Sequence, residues 1–113
     1  MANADFQPRT FIRRNQAWTS GNGETLLRLQ EDGNFVAYRD GKASWQADGV
    51  YPNGETAAFE MDGDLVVYDS SGRQIWHSDT SGNHGAKLSV QDDGNIVIYN
   101  ASDKPIWATN TGS

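Results

Sequence analysis

At 113 residues the chain suits one domain, spanning 1–113, and leaves little room for two independent cores. Only 36% of the residues are apolar, yet 12 Gly, 4 Trp, 4 Tyr and 4 Phe exclude a disordered polar segment and suit many short strands and turns. A net charge of -6 argues against nucleic acid, the lack of any apolar run near the roughly 20 residues that cross a bilayer argues against membrane insertion, and the absence of cysteine excludes disulfides and thiolate metal sites.

The chain opens with "MANADFQPRTFIRR", which holds no apolar export region, so cytoplasmic synthesis or a mature secreted form is expected. Trp18 follows in "AWTSGNGE", like a shorter-spaced leader of three later tryptophans. The first of three related segments is "LRLQEDGNFVAY", from Leu27 to Tyr38; "AFEMDGDLVVY" runs from Ala58 to Tyr68, and "LSVQDDGNIVIY" from Leu88 to Tyr99. Gln30, Glu60 and Gln91 mark the copies at spacings of 30 and 31, and Trp45, Trp76 and Trp107 follow them at spacings of 31. Internal repetition of this kind dictates the architecture before any single residue does.

Within each copy apolar and polar residues alternate, the two-residue period of a half-buried strand. Leu27, Leu29, Phe35 and Ala37 share one parity, as do Leu88, Val90, Ile96 and Ile98. Parity survives a hairpin only across an odd loop, and a three-residue loop ending in a left-handed glycine fits Glu31-Asp32-Gly33, Met61-Asp62-Gly63 and Asp92-Asp93-Gly94. Further turn signals, "YRDGK", "YPNGE", "DSSGR" and "TSGNHG", delimit additional short strands. About four strands per copy predict an all-β, twelve-stranded assembly of three sheets around a pseudo-threefold axis, with Trp18, Trp45, Trp76 and Trp107 in the core.

The other parity carries the chemistry. Gln30, Asp32, Asn34, Val36 and Tyr38 spell Q-x-D-x-N-x-V-x-Y, and Gln91, Asp93, Asn95, Val97 and Tyr99 spell it again. One carboxylate acceptor, two amides, a phenol and an aliphatic floor suit a neutral polyol, whose hydroxyls each donate and accept. Turn and strand propensities account for Asp32 and Asp93 taken alone, but not for Gln, Asn and Tyr recurring at the same spacing in two copies.

With these motifs the sequence resembles the bulb-type, mannose-binding lectins first known from monocot plants, over about Phe11 to Thr111 and including "DKPIWATNTG". The resemblance implies a β-prism II fold of three four-stranded antiparallel sheets, one mannose site per sheet. It also implies sugar-binding roles for Gln30, Asp32, Asn34, Val36 and Tyr38 and for Gln91, Asp93, Asn95, Val97 and Tyr99, with Asp and Asn on the axial hydroxyl and Val against the ring. A homodimer that exchanges C-terminal strands around Trp107, agglutination and antiviral binding are further implications. The disulfide and export signal usual in the plant members are missing here, which points to a non-plant source.

In the middle copy the motif reads Glu60, Asp62, Asp64, Val66 and Tyr68. Two amide donors have become carboxylates that only accept, so a degraded sugar site is expected. Three side chains on flat strands offer fewer oxygens than a hard cation requires, and no metal or other cofactor is expected. Glycosidase chemistry needs a groove and one raised carboxyl pKa, which neighbouring hairpin positions do not provide, so no catalytic residues are assigned. His77 and His84 are expected to be solvated, and Asn100-Ala101-Ser102, a glycosylation sequon, to be a turn. The leading expectation is a non-catalytic lectin for mannose-containing glycans. The alternative is a prism scaffold acting through protein contacts, as in lectin-like bacteriocins.

Overall fold

A computed structural model describes residues 3–112. Among these, β1 (Ala4–Phe6), β2 (Thr10–Arg13) and β3 (Gln16–Thr19) come from the N-terminal segment. The first repeat supplies β4 (Thr25–Leu29), β5 (Phe35–Arg39) and β6 (Lys42–Gln46). The second supplies β7 (Thr56–Phe59), β8 (Leu65–Tyr68) and β9 (Gln74–His77), and the third β10 (Lys87–Val90), β11 (Ile96–Tyr99) and β12 (Pro105–Ala108). They form three four-stranded antiparallel sheets, ordered β3-β4-β5-β6, β2-β7-β8-β9 and β1-β10-β11-β12. This is the all-β prism expected from the repeats.

Each repeat contributes three strands rather than four. The fourth strand of every sheet comes from a six-residue rhythm at the N-terminus, in which Phe6, Ile12 and Trp18 pair with Leu88, Ala57 and Leu27. Trp18 is therefore not a shorter-spaced counterpart of Trp45: it sits at the opposite end of its sheet, equivalent to Phe6 and Ile12. It is still a core residue, 3% exposed, and its indole N–H donates to Thr10 Oγ1 at 3.2 Å.

The predicted parity holds. Leu29 faces Phe35, Phe59 faces Leu65 and Val90 faces Ile96 across the hairpins, all six fully buried. The loops are three residues long: Gly33, Gly63 and Gly94 have φ of 88, 89 and 95°, and each closes a turn by donating its N–H to the motif Gln or Glu carbonyl. The fourth strands bring Trp45, Trp76 and Trp107 opposite Ala37, Val67 and Ile98. Their rings form a closed triangle, 5.6, 5.5 and 5.9 Å apart and near edge-to-face, on the pseudo-threefold axis. The triangle is only partly buried, plugging one end of the prism against the core. β12 pairs with β11 of its own chain, so every sheet is completed within one chain.

A β-bulge falls at the same place in all three sheets, between Ala37 and Tyr38, Val67 and Tyr68, and Ile98 and Tyr99. The extra residue is on the edge strand each time, Ser44, Ile75 and Ile106, so the edge strand bends where it passes the last residue of each motif.

Candidate functional site

Alternation along the hairpins puts the motif side chains on the outer faces of the sheets. In the first copy, Tyr38 donates its hydroxyl to Gln30 Oε1, and Gln30 Nε2 donates to Asp32 at 3.2 Å. Asp32 also accepts the Asn34 backbone N–H at 3.0 Å. That bond, and then the Gln30 amide, hold the Asp32 carboxyl below its ordinary pKa, so it stays an acceptor in mildly acidic solution. The Asn34 amide donates across the sheet to Gln46 Oε1 at 3.0 Å. Val36 is 4% exposed, a floor almost covered by its neighbours. Gln30, Asp32 and Tyr38 border an open depression of about 540 Å3, within the usual range for small-ligand clefts.

The third copy repeats this frame with different supports. Gln91 Nε2 donates to Tyr99 Oη at 2.9 Å, and Asp93 accepts the Asn95 N–H at 2.9 Å. Asn95 Oδ1 accepts from Thr109 Oγ1 at 3.2 Å and from the Thr111 N–H at 3.3 Å. This fixes the amide by its oxygen and directs its nitrogen outward. Val97 is again 4% exposed beneath.

In the middle copy the Asp64 carboxylate, 6% exposed, occupies the place of the Asn95 amide. Its Oδ1 accepts from Ser78 Oγ and from the Thr80 N–H, each at 3.1 Å, as Asn95 does from Thr109 and Thr111. Its Oδ2 lies 2.9 Å from His77 Nδ1. His77 is exposed, as expected, and its ring also lies within hydrogen-bond reach of the Asp64 carboxyl. Glu60 accepts the Tyr68 hydroxyl, and this bond, then burial, then the nearby negative charges push the Tyr68 pKa up to about 12. Asp62 accepts the Asp64 N–H at 3.0 Å, and Val66 is buried beneath. Each of the three acids has a separate partner, and carboxylates stand at positions 60 and 64 where the other copies carry amides. His84 is exposed, as expected.

All fifteen motif residues therefore gather copy by copy, five on each sheet. The residue after each tryptophan was not among the candidates. Gln46, His77 and Ala108 lie opposite Val36, Val66 and Val97 and differ in every copy, meeting Asn34 with an amide, Asp64 with an imidazole and Asn95 with nothing polar. Their constant position after the tryptophans is the signal that could have found them.

A scan against protein-family models matches none of them, and a search of curated proteins finds no match. Solved structures do match. A lectin of Marasmius oreades is 32% identical, covering 96% of this chain and 91% of that one, with a TM-score of 0.87. A monomeric monocot mannose-binding lectin from Gastrodia elata is 27% identical over 100% of both chains, with a TM-score of 0.79. The lectin of Polygonatum cyrtonema, solved with a monomannoside, is 30% identical over 99% of this chain and 98% of that one, with a TM-score of 0.72. Shared prism, repeat and sequence leave one conclusion: the chain belongs to the bulb-type, monocot-type mannose-binding lectin family.

Proposed function

We propose that the chain is a mannose-binding lectin acting through two sites, one at Gln30, Asp32, Asn34, Val36 and Tyr38 and the other at Gln91, Asp93, Asn95, Val97 and Tyr99. As a member of a lectin family it is a carbohydrate-binding protein and not an enzyme. The Gastrodia relative is a mannose-binding lectin and the Polygonatum relative was solved with a monomannoside, which favours mannose as the ligand here.

The observation that carries the reading is the common frame of copies one and three: a tyrosine joined to a Gln amide, an Asp held as an acceptor, and an Asn beside it. An axial hydroxyl between that carboxylate and that amide finds both an acceptor and a donor, whereas its epimer leaves them unpaired. Glu60, Asp62, Asp64, Val66 and Tyr68 form a silent copy, since its acids only accept.

Each such shallow site for a neutral sugar binds at about the millimolar level, worth about -4 kcal/mol, so useful avidity comes from several sites on one particle. Two sites on different faces of one prism suffice to bridge glycans, and hence to agglutinate cells or coat mannose-rich viral surfaces. A homodimer doubles the number.

The test is an NMR titration with methyl α-mannoside that follows the side-chain amides of Gln30, Asn34, Gln91 and Asn95. Both pairs shift and the backbone of residues 60–68 stays quiet if the reading is correct. Silence everywhere transfers the function to a protein partner, and movement at 60–68 makes the middle copy a working site.

A further inference from the structure

The three copies act as internal controls for one another, because the same frame recurs with different residues around it. On the second strand, the outward position facing the motif valine is Arg28 in the first sheet, Ala58 in the second and Ser89 in the third. Only the first copy has a long donor there. Arg28 Nη2 donates to Asn15 Oδ1 at 3.2 Å, and Asn15 Nδ2 donates onward to Glu31 Oε1 at 2.7 Å. Asn15 is held by a left-handed turn with φ of 70° and by its N–H on the Leu29 carbonyl. The result is a polar wall, Arg28–Asn15–Glu31, along one side of the first site.

The wall and the motif border the same depression. Asn15, Arg28, Glu31 and Leu26 line it together with Gln30, Asp32 and Tyr38 of the first motif. Arg28 makes no ion pair within 4.0 Å among the described residues, and its remaining guanidinium N–H groups are free to donate. The third copy has a different depression beside it, about 360 Å3 and bordered by Asn3, Asn22, Asp92 and Asp93, with no cationic side chain on it. Its turn acid, Asp92, already accepts the Asn22 backbone N–H at 3.0 Å, and the short hydroxyl of Ser89 lies 3.4 Å from Gln91 Nε2.

Resting on the lectin reading above, we infer that the first site is extended: while one sugar occupies the motif, the next neutral hexose of the glycan lies against Arg28, Glu31 and Leu26. A guanidinium that donates and a carboxylate that accepts, joined through Asn15, with the aliphatic Leu26 next to Arg28 on the same strand face, match neighbouring hydroxyls and a C–H face. Because Glu31 and Asp32 offset the charge of Arg28, the extension selects a neutral residue over an anionic one. The third site, with Ser89 in place of Arg28, gains less from a second sugar residue.

The experiment is a pair of NMR titrations, with methyl α-mannoside and with an α-linked dimannoside, read separately at Gln30 and Gln91. The dimannoside binds the first site about fivefold more tightly than the monosaccharide, the size of one added hydrogen bond, while the third site shows no comparable gain. In Arg28→Ala the dimannoside advantage at the first site falls to that of the third, whose unchanged spectrum verifies folding. Equal advantage at both sites in the native protein overturns the inference, as does a variant that loses affinity for both sugars by the same factor. Silence of both sites toward the monosaccharide is a distinct result: it overturns the lectin reading itself, and the extension with it.

Discussion

The substitution of Asn34 and Asn95 by Asp64 changes one atom in the motif but redirects the whole pocket. Asp64 is gripped by Ser78, Thr80 and His77, and Glu60 by Tyr68. Replacing both acids, Glu60→Gln with Asp64→Asn, returns two amide donors to the frame, and on the proposed two-site reading methyl α-mannoside is expected to shift residues 60–68 in this variant and to leave them quiet in the native chain. Tyr68 offers an independent reading of the same contact. Its phenolate absorbance is expected at about pH 12, against an ordinary value of 10.0, and Glu60→Gln draws it back toward 10.0. The folded pKa is raised, so this contact contributes stability fully below pH 10 and loses it as pH rises from 10 through 12. Asp32 has the opposite sign. Its pKa lies below 3.8, so its contribution is present above that value and disappears only as pH falls through the lowered pKa; sugar binding at the first site, followed by NMR, persists to correspondingly acidic solution.

Each hairpin owes its register to one tight loop. Gly63 is needed there for two reasons: its φ is 89°, and a Cβ would come 2.6 Å from the Asn83 carbonyl oxygen. Gly72 has a similar φ of 80° but open space around it. Gly63→Ala is therefore expected to cost more than about 1 kcal/mol in urea unfolding, and clearly more than Gly72→Ala, which bears the backbone strain alone. Equal losses for the two variants would refer the whole effect to backbone strain and none to the close approach. The same loops set the motif spacing, since Gln30 and Asn34, Glu60 and Asp64, and Gln91 and Asn95 are joined by backbone hydrogen bonds across the turn.

Three sheets that bury small faces meet at a single ring of aromatics. Trp76 touches Trp45, Trp107 and Phe35, with centroids 5.6, 5.9 and 5.9 Å apart, so it links all three sheets. Trp76→Ala is expected to cost about 3 kcal/mol, the lower end for a large aromatic because the ring is only partly buried. Since the three sheets share the triangle, the loss appears as one earlier cooperative transition in circular dichroism and at both sugar sites together. Sequential melting of the sheets would show that the triangle does not couple them.

Much of this protein was determined by the sequence within short distances along the chain. Alternating parity, three-residue turns and the recurring pattern from Gln30 to Tyr38 and from Gln91 to Tyr99 are local, because strand pleat and turn chemistry depend on neighbours a few residues apart. Hence the hairpins, the buried set from Leu27 to Ala37 and the altered middle copy were all legible before any coordinates. Only the tertiary structure decided what lies beside each motif. Pairing between distant strands distributed Phe6, Ile12 and Trp18 over three sheets, set Gln46, His77 and Ala108 opposite the motif valines, and joined Asn15 to Arg28. Those contacts arise from closing the prism around one core, and no local period encodes which strand becomes the neighbour of which site.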